Sequence, residues 1–163
     1  TWWRLAMSRY SGQRVLMDTN VLLDALDSRR PQSEEACRVL RHCNGGGATA
    51  YVCPMSLKDV YYVLAKAHGA EAARRGVGYL MGLVVIAPMG PEDCDVSLRS
   101  GEPDFEDGLV RACAELNGID FILTRDAKAF DHSTVRAVNC AKYLEIFVAR
   151  DEAARGAAFG VRP

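Results

Sequence analysis

The sequence predicts an α/β protein: a three-layer α/β/α domain around a mostly parallel central sheet. Two observations carry that prediction. Short apolar runs of strand type alternate with segments of helical periodicity along nearly the whole body. That alternation is the pattern of a parallel sheet covered by helices on both faces. Size is the second: 163 residues, 49% of them apolar, furnish one core and therefore one domain.

The elements follow in order. Arg14-Val15-Leu16-Met17 is a strand that ends at Asp18 and passes into a helix carrying Val21, Leu22, Leu23, Ala25 and Leu26. Pro31 and Ser33 precede Glu34 and Glu35, which open a second helix through Ala36, Val39 and Leu40 until Asn44-Gly45-Gly46-Gly47 stops it. Ala50-Tyr51-Val52-Cys53 reads as a buried strand closed by Pro54. Ser56 is positioned to cap a third helix with Val60, Tyr61, Val63 and Leu64, ended by Gly69. A fourth helix, weakened by Gly76 and Gly78, fills Ala70 to Leu83, and Leu83 to Ala87 form a third strand. After Pro91 a short helix through Val96 and Leu98 leads to the loop Gly101-Glu102-Pro103. Asp104 then opens a helix with Leu109, Val110, Cys113, Ala114 and Leu116 on one face, ended by Asn117-Gly118. Phe121 to Thr124 make a fourth strand closed by Arg125-Asp126, Val135 to Val138 a fifth, and Lys142 to Phe147 a last short helix. Residues 1–13 are expected to be an arm without the features of a signal peptide, 14–148 the domain, and 149–163 a loosely held tail.

Composition excludes several classes. The longest apolar run, Leu80 to Pro88, is broken by Gly82 and is too short to span a bilayer, so no membrane association is expected. The six cysteines (Cys37, Cys43, Cys53, Cys94, Cys113, Cys140) form no CxxC pair, and four of them sit among apolar neighbours. Reduced thiols in a cytoplasmic protein are the expectation. His42, His68 and His132 stand far apart without ligand spacing, and no GxSxG or GxxxxGK[ST] motif is present. A net charge of −1 removes the global signature of a nucleic-acid binder, so any such contact must come from a local patch.

The candidate chemistry lies in aspartates. Asp18 follows an apolar strand directly and would lose hydration there unless a cation or a helix N-terminus received it. Asp59 falls three residues after Ser56, a capping-box position, and Asp107 stands in the same relation to Asp104. Asp126 lies in the loop after the fourth strand. Each acid alone has an ordinary structural explanation. Together, two strand ends and two helix starts on one side of one sheet all carry an aspartate, and ligands of open α/β sheets bind beyond the carboxyl ends of the strands. Like charges gathered there repel unless cations neutralise them, and an all-oxygen set suits magnesium or manganese. Two-metal phosphodiesterase sites use such sets.

Asp18-Thr19-Asn20-Val21-Leu22-Leu23-Asp24 after a strand, Ser56-Leu57-Lys58-Asp59-Val60 in a middle helix, Asp104-Phe105-Glu106-Asp107-Gly108-Leu109 opening a late helix, and Thr124-Arg125-Asp126 with Phe130 together resemble the PIN-domain family of nucleases. The resemblance runs from about Arg14 to Phe147, and the nearest likeness is to the VapC type of bacterial ribonuclease toxin. It implies a three-layer fold and a Mg2+- or Mn2+-dependent endoribonuclease that hydrolyses RNA. It further implies a small antitoxin that occupies the groove, a homodimer, and Asp18, Asp59, Asp107 and Asp126 as catalytic, metal-binding acids. Thr19, Asn20, Thr124 and Arg125 would position Asp18, the attacking water or the phosphate, with Asp104 behind them or capping the helix. The second acid of the family is usually glutamate, so Asp59 is one methylene short. RNA contact would rest on Lys58, Arg111, Arg125, Lys128 and the tail arginines. Two other readings stay open: a degenerate PIN-like domain that binds RNA or protein without cutting, and a Mg2+-binding receiver-type signalling domain.

Overall fold

The computed structural model describes residues 12–102 and 104–149. The expected arm and tail, with the tail arginines, therefore lie outside the described residues except for Gly12, Gln13 and Ala149. Five strands, β1 (Gln13–Met17), β2 (Ala48–Val52), β3 (Val85–Ile86), β4 (Phe121–Leu123) and β5 (Arg136–Val138), form one sheet in the order β3-β2-β1-β4-β5. Every described pair is parallel, with Leu16 beside Tyr51 on one side and Ile122 on the other. The helices between them are α1 (Thr19–Leu26), α2 (Ser33–Asn44), α3 (Pro54–His68), α4 (Ala70–Met81), α5 (Pro91–Arg99), α6 (Phe105–Leu116) and α7 (Cys140–Tyr143). The last continues as a π-helical turn over Leu144–Val148.

Alternation along β1 divides the core between the two faces of the sheet. Val15 and Met17 point into a cluster with Leu22, Val39, Val60, Leu80 and Tyr143, contributed by α1 to α4 and α7. Leu16 points the other way, to Val110, Cys113, Ile122 and Phe130 around α6. Both faces of the strand are covered, which is why its sequence is apolar throughout.

Two local expectations are corrected. The third strand is only two residues long, and Val85 and Ile86 are 45% and 39% exposed. It pairs with β2 alone, so the apolar run Leu83 to Ala87 marks a short sheet edge rather than a five-residue strand. Helix α3 begins at Pro54 with Cys53 in the capping position, and Ser56 is buried inside its first turn. Proline at the first helical position has its φ already set and needs no amide partner. Ser56 therefore caps nothing, and Asp59 belongs to the second turn rather than to a capping box.

A candidate active site at the sheet's switch point

In the order β3-β2-β1-β4-β5 the chain runs outward from β1 to one edge and then returns on the other side through β4. The switch point is the gap between the carboxyl ends of β1 and β4, the place where open α/β sheets bind ligands. Asp18 ends β1 there. Its N–H donates to Leu123 O at 3.0 Å, continuing the ladder with β4. Its Oδ1 accepts the Thr19 N–H at 2.7 Å, and its Oδ2 accepts the Thr124 hydroxyl at 2.9 Å. Asp18 thus caps α1 and faces the crevice at once. Burial raises its pKa above the ordinary carboxylate value, the charges of Asp126 and Asp59 add to the rise, and the bonds from Thr124 and Thr19 oppose it.

Thr124 is 1% exposed, and its Oγ1 also accepts the Asp126 N–H at 3.1 Å. One hydroxyl therefore connects Asp18 to the loop that carries Asp126. Asp107 enters from α6, whose cap is Asp104: the Asp107 N–H donates to Asp104 Oδ1 at 2.8 Å. Burial first, then the charges of Asp104, Asp18, Asp126 and Glu102, push the Asp107 pKa up to about 6. Asp59 is turned toward Lys58, with which it makes a close ion pair, while its Oδ2 is buried without a hydrogen-bond partner. A hydrogen bond with Asp59 and partial burial raise the pKa of Glu106, placing Glu106 beside Asp59.

The structure thus brings Asp18, Asp107 and Asp126 within electrostatic reach of one another, and Asp59 within reach of Asp18. It does not close them into a ligand set: among the described residues no three acidic, histidine or cysteine side chains stand where they would hold a metal ion. The donor chemistry nevertheless fits a hard divalent cation. All donors are oxygens, one buried oxygen of Asp59 lacks a partner, and the crowding of negative charge on Asp18 and Asp107 is what a cation would relieve.

Other expected residues fall differently. Asn20 makes no hydrogen bond to Asp18; its Oδ1 accepts Arg30 Nη2 at 3.5 Å. Arg125 leans toward Asp24 Oδ1 at 3.5 Å, and the same buried oxygen accepts Arg30 Nε at 2.6 Å. Arg111, expected at the RNA surface, is half-buried and paired with acidic groups, its side chain only 14% exposed. Glu106 and Asp24 escaped the sequence reading as site residues. The only sequence signal for Glu106 is its place between Asp104 and Asp107, and for Asp24 its place at the end of the first motif.

The comparisons with known proteins agree with this architecture. The family model of the PIN domain matches residues 14–128. A relative, "Ribonuclease VapC1" of Aquifex aeolicus (strain VF5), is 24% identical over 140 residues, covering 83% of this chain and 96% of the relative. Among solved structures, VapBC2 from Rickettsia felis bound to a DNA fragment from its promoter aligns with a TM-score of 0.64 at 12% identity, over 78% of this chain and 98% of that one. VapC20 of Mycobacterium tuberculosis, a sarcin-ricin loop cleaving toxin, aligns with a TM-score of 0.59 at 15% identity, over 71% of this chain and 92% of that one.

Proposed function

The chain belongs to the PIN-domain family, and from that premise we propose that it is a metal-dependent endoribonuclease hydrolysing RNA phosphodiester bonds at the crevice of Asp18, Asp59, Asp107 and Asp126. The observation that carries the reading is the Thr124 hydroxyl, which donates to Asp18 and accepts from the Asp126 amide at the switch point of the sheet. The Asp18 carboxylate and the backbone of the loop that carries Asp126, both held there by one buried side chain, are preorganised for a ligand rather than for packing.

Asp18, Asp107 and Asp126 would hold Mg2+ or Mn2+, with Asp59 joining through its unpartnered oxygen once it leaves Lys58. Such an ion supplies an activated water and charge stabilisation at the leaving oxygen. The chain's own groups do the rest. Thr124 fixes the Asp18 carboxylate, Thr19 fixes its other oxygen, and Asp104 holds the first turn of α6. Lys128 and Arg125, exposed beside Asp126, are placed to meet RNA phosphates and keep the strand near the acids despite the near-neutral chain.

The proposal extends to a toxin with a small antitoxin as partner, which the VapC-named relative and the VapBC structures support. It includes a homodimer, implied by the family resemblance, in the cytoplasm, where six unpaired cysteines would stay reduced. No helix among the described residues is long and apolar enough to cross a membrane. The strand order argues against a receiver-type domain, whose sheet runs 2-1-3-4-5. Two observations favour the non-cutting alternative: Asp59 is occupied by Lys58, and among the described residues the acids are not closed into a ligand set. Single-stranded RNA incubated with the protein decides between them. Cleavage in Mg2+ or Mn2+ that disappears with chelator and in Asp126→Asn is the expected result. RNA retained on the protein but uncut in either metal would replace the nuclease with a binding domain.

A further inference from the structure

Arg111 lies one helical turn beyond Asp107 on the same face of α6, and its guanidinium is spent inside the protein. Nη1 donates to Ser100 O at 3.0 Å and to Glu102 Oε1 at 2.9 Å, and Nε donates to Glu115 Oε1 at 2.9 Å. Glu115 Oε1 accepts in turn the Thr134 N–H at 3.0 Å and the Ser133 hydroxyl at 3.2 Å. The Glu102 side chain is 0% exposed although it belongs to a loop, and the His132 ring lies near it, with Nδ1 3.7 Å from Oε2.

Through two side chains one turn apart these bonds join three segments: Arg111 ties the loop ahead of Asp104 to the body of α6, and Glu115 ties α6 to the loop at Ser133 and Thr134, which follows the turn after Asp126. Buried ion pairs of this sort seldom stabilise more than apolar residues of equal volume would, so stability alone is a weak reason for the arrangement. What a forked guanidinium with several fixed acceptors does supply is register between the pieces it touches. Asp104 and Asp107 stand at one end of that linkage, and at the other stands the loop at Ser133 and Thr134, reached from Asp126 through the short turn Ala127–Phe130.

We propose that Arg111 is a positioning residue of the crevice: it holds the loop ahead of Asp104 against α6 and orients Glu115, so that the start of α6, with Asp104 and Asp107, keeps a fixed offset from the segment that follows Asp126. Its consequence for catalysis rests on the nuclease reading; the positioning itself does not.

The test uses the full chain with Arg111→Met and Arg111→Lys. Two quantities are measured, Mn2+ binding by electron paramagnetic resonance and amide exchange at Asp107, whose N–H reports the Asp104 cap. Arg111→Met should weaken Mn2+ binding by about 10- to 100-fold, as loss of a group supporting metal ligands does, and should speed exchange at Asp107. Arg111→Lys should recover part of both, because an ammonium keeps the charge without the fork. A variant that is merely easier to unfold, with parental Mn2+ affinity and parental Asp107 exchange, overturns the proposal. Failure of the parent to bind Mn2+ would sink the nuclease reading, and exchange at Asp107 would then judge the positioning alone. If Arg111→Met does not fold, Glu115→Gln keeps the shape, weakens one arm, and should shift both readouts in the same direction.

Discussion

The Asp18 carboxylate and the Thr124 hydroxyl meet at 2.9 Å although 106 positions separate them in the chain. Thr124 is almost completely buried, so water cannot take over its bond. Thr124→Val keeps the volume and removes the donor. At neutral pH it should destabilise the fold by about 1–3 kcal/mol, the usual result of stripping a donor from a buried charged acceptor. The Asp18 pKa, which this bond now lowers, should rise further. Urea unfolding and a carboxyl NMR titration measure the two effects; a variant with parental values in both would mean that Asp18 does not depend on Thr124.

Asp107 makes a pH prediction whose sign differs from that of an ordinary surface carboxylate. Its pKa of about 6 in the folded protein lies above the ordinary aspartate value of 3.8. Between those limits the folded state holds a proton that the unfolded chain has released, so this group's contribution to stability falls as pH rises through the window. In metal-free protein, Asp107→Asn should therefore gain stability relative to the parent on going from about pH 4 to about pH 7. Melting curves in chelator across that range check it. A difference between the two proteins that does not change with pH would show that Asp107 feels no crowding.

Asp104 and Asp107, three residues apart, separate capping from chemistry. Asp104 accepts the Asp107 N–H, so Asp104→Ala should cost about 0.5–2 kcal/mol as lost caps do, while Asp104→Asn should be close to neutral because asparagine caps equally well. RNA cleavage should survive Asp104→Asn and fall by orders of magnitude in Asp107→Asn. Equal activity in the two asparagine variants would remove Asp107 from the proposed site.

The thiols give a prediction independent of activity. All six cysteines are free, with Cys94 exposed, Cys37 half-buried and the other four buried. Burial pushes the thiols of Cys43 and Cys140 up to about 11 and about 12, where little nucleophilic thiolate exists at neutral pH. An aromatic disulfide reagent should modify Cys94 first in the native protein and reach all six only after denaturation. A denatured, unreduced sample with fewer reactive thiols would contradict the free state.

Much of this fold was legible in the sequence because its signals are local. Arg14 to Met17 reads as a strand since every inward position on both faces is apolar, and Asn117-Gly118 ends α6 because Gly118 adopts a φ of 62°. The errors occurred where a local signal competed with position in the fold. Leu83 to Ala87 has strand composition, yet only an edge was available to it. Ser56 has cap chemistry, but Pro54 had already started the helix. The approach of Asp18, Asp107 and Asp126 could be inferred from strand order, whereas Glu106 beside Asp59 could not, because those side chains come from different helices. Glu102 looked like a loop residue for the same reason: its burial depends on Arg111, nine positions later.

The placing of β4 next to β1, with β2 and β3 already spent on the far side, also sets when the crevice can come into being. Asp18 emerges from the ribosome early and Asp126 late, and the seam between them closes only after the intervening chain has folded outward and come back. Closing so long a loop is slow and entropically costly, and nothing short of it unites the two carboxylates. An unfinished chain carries half a crevice. Pieces divided between α4 and β3 would each be inert toward RNA, and any activity would have to await their reassociation along the β1–β4 seam.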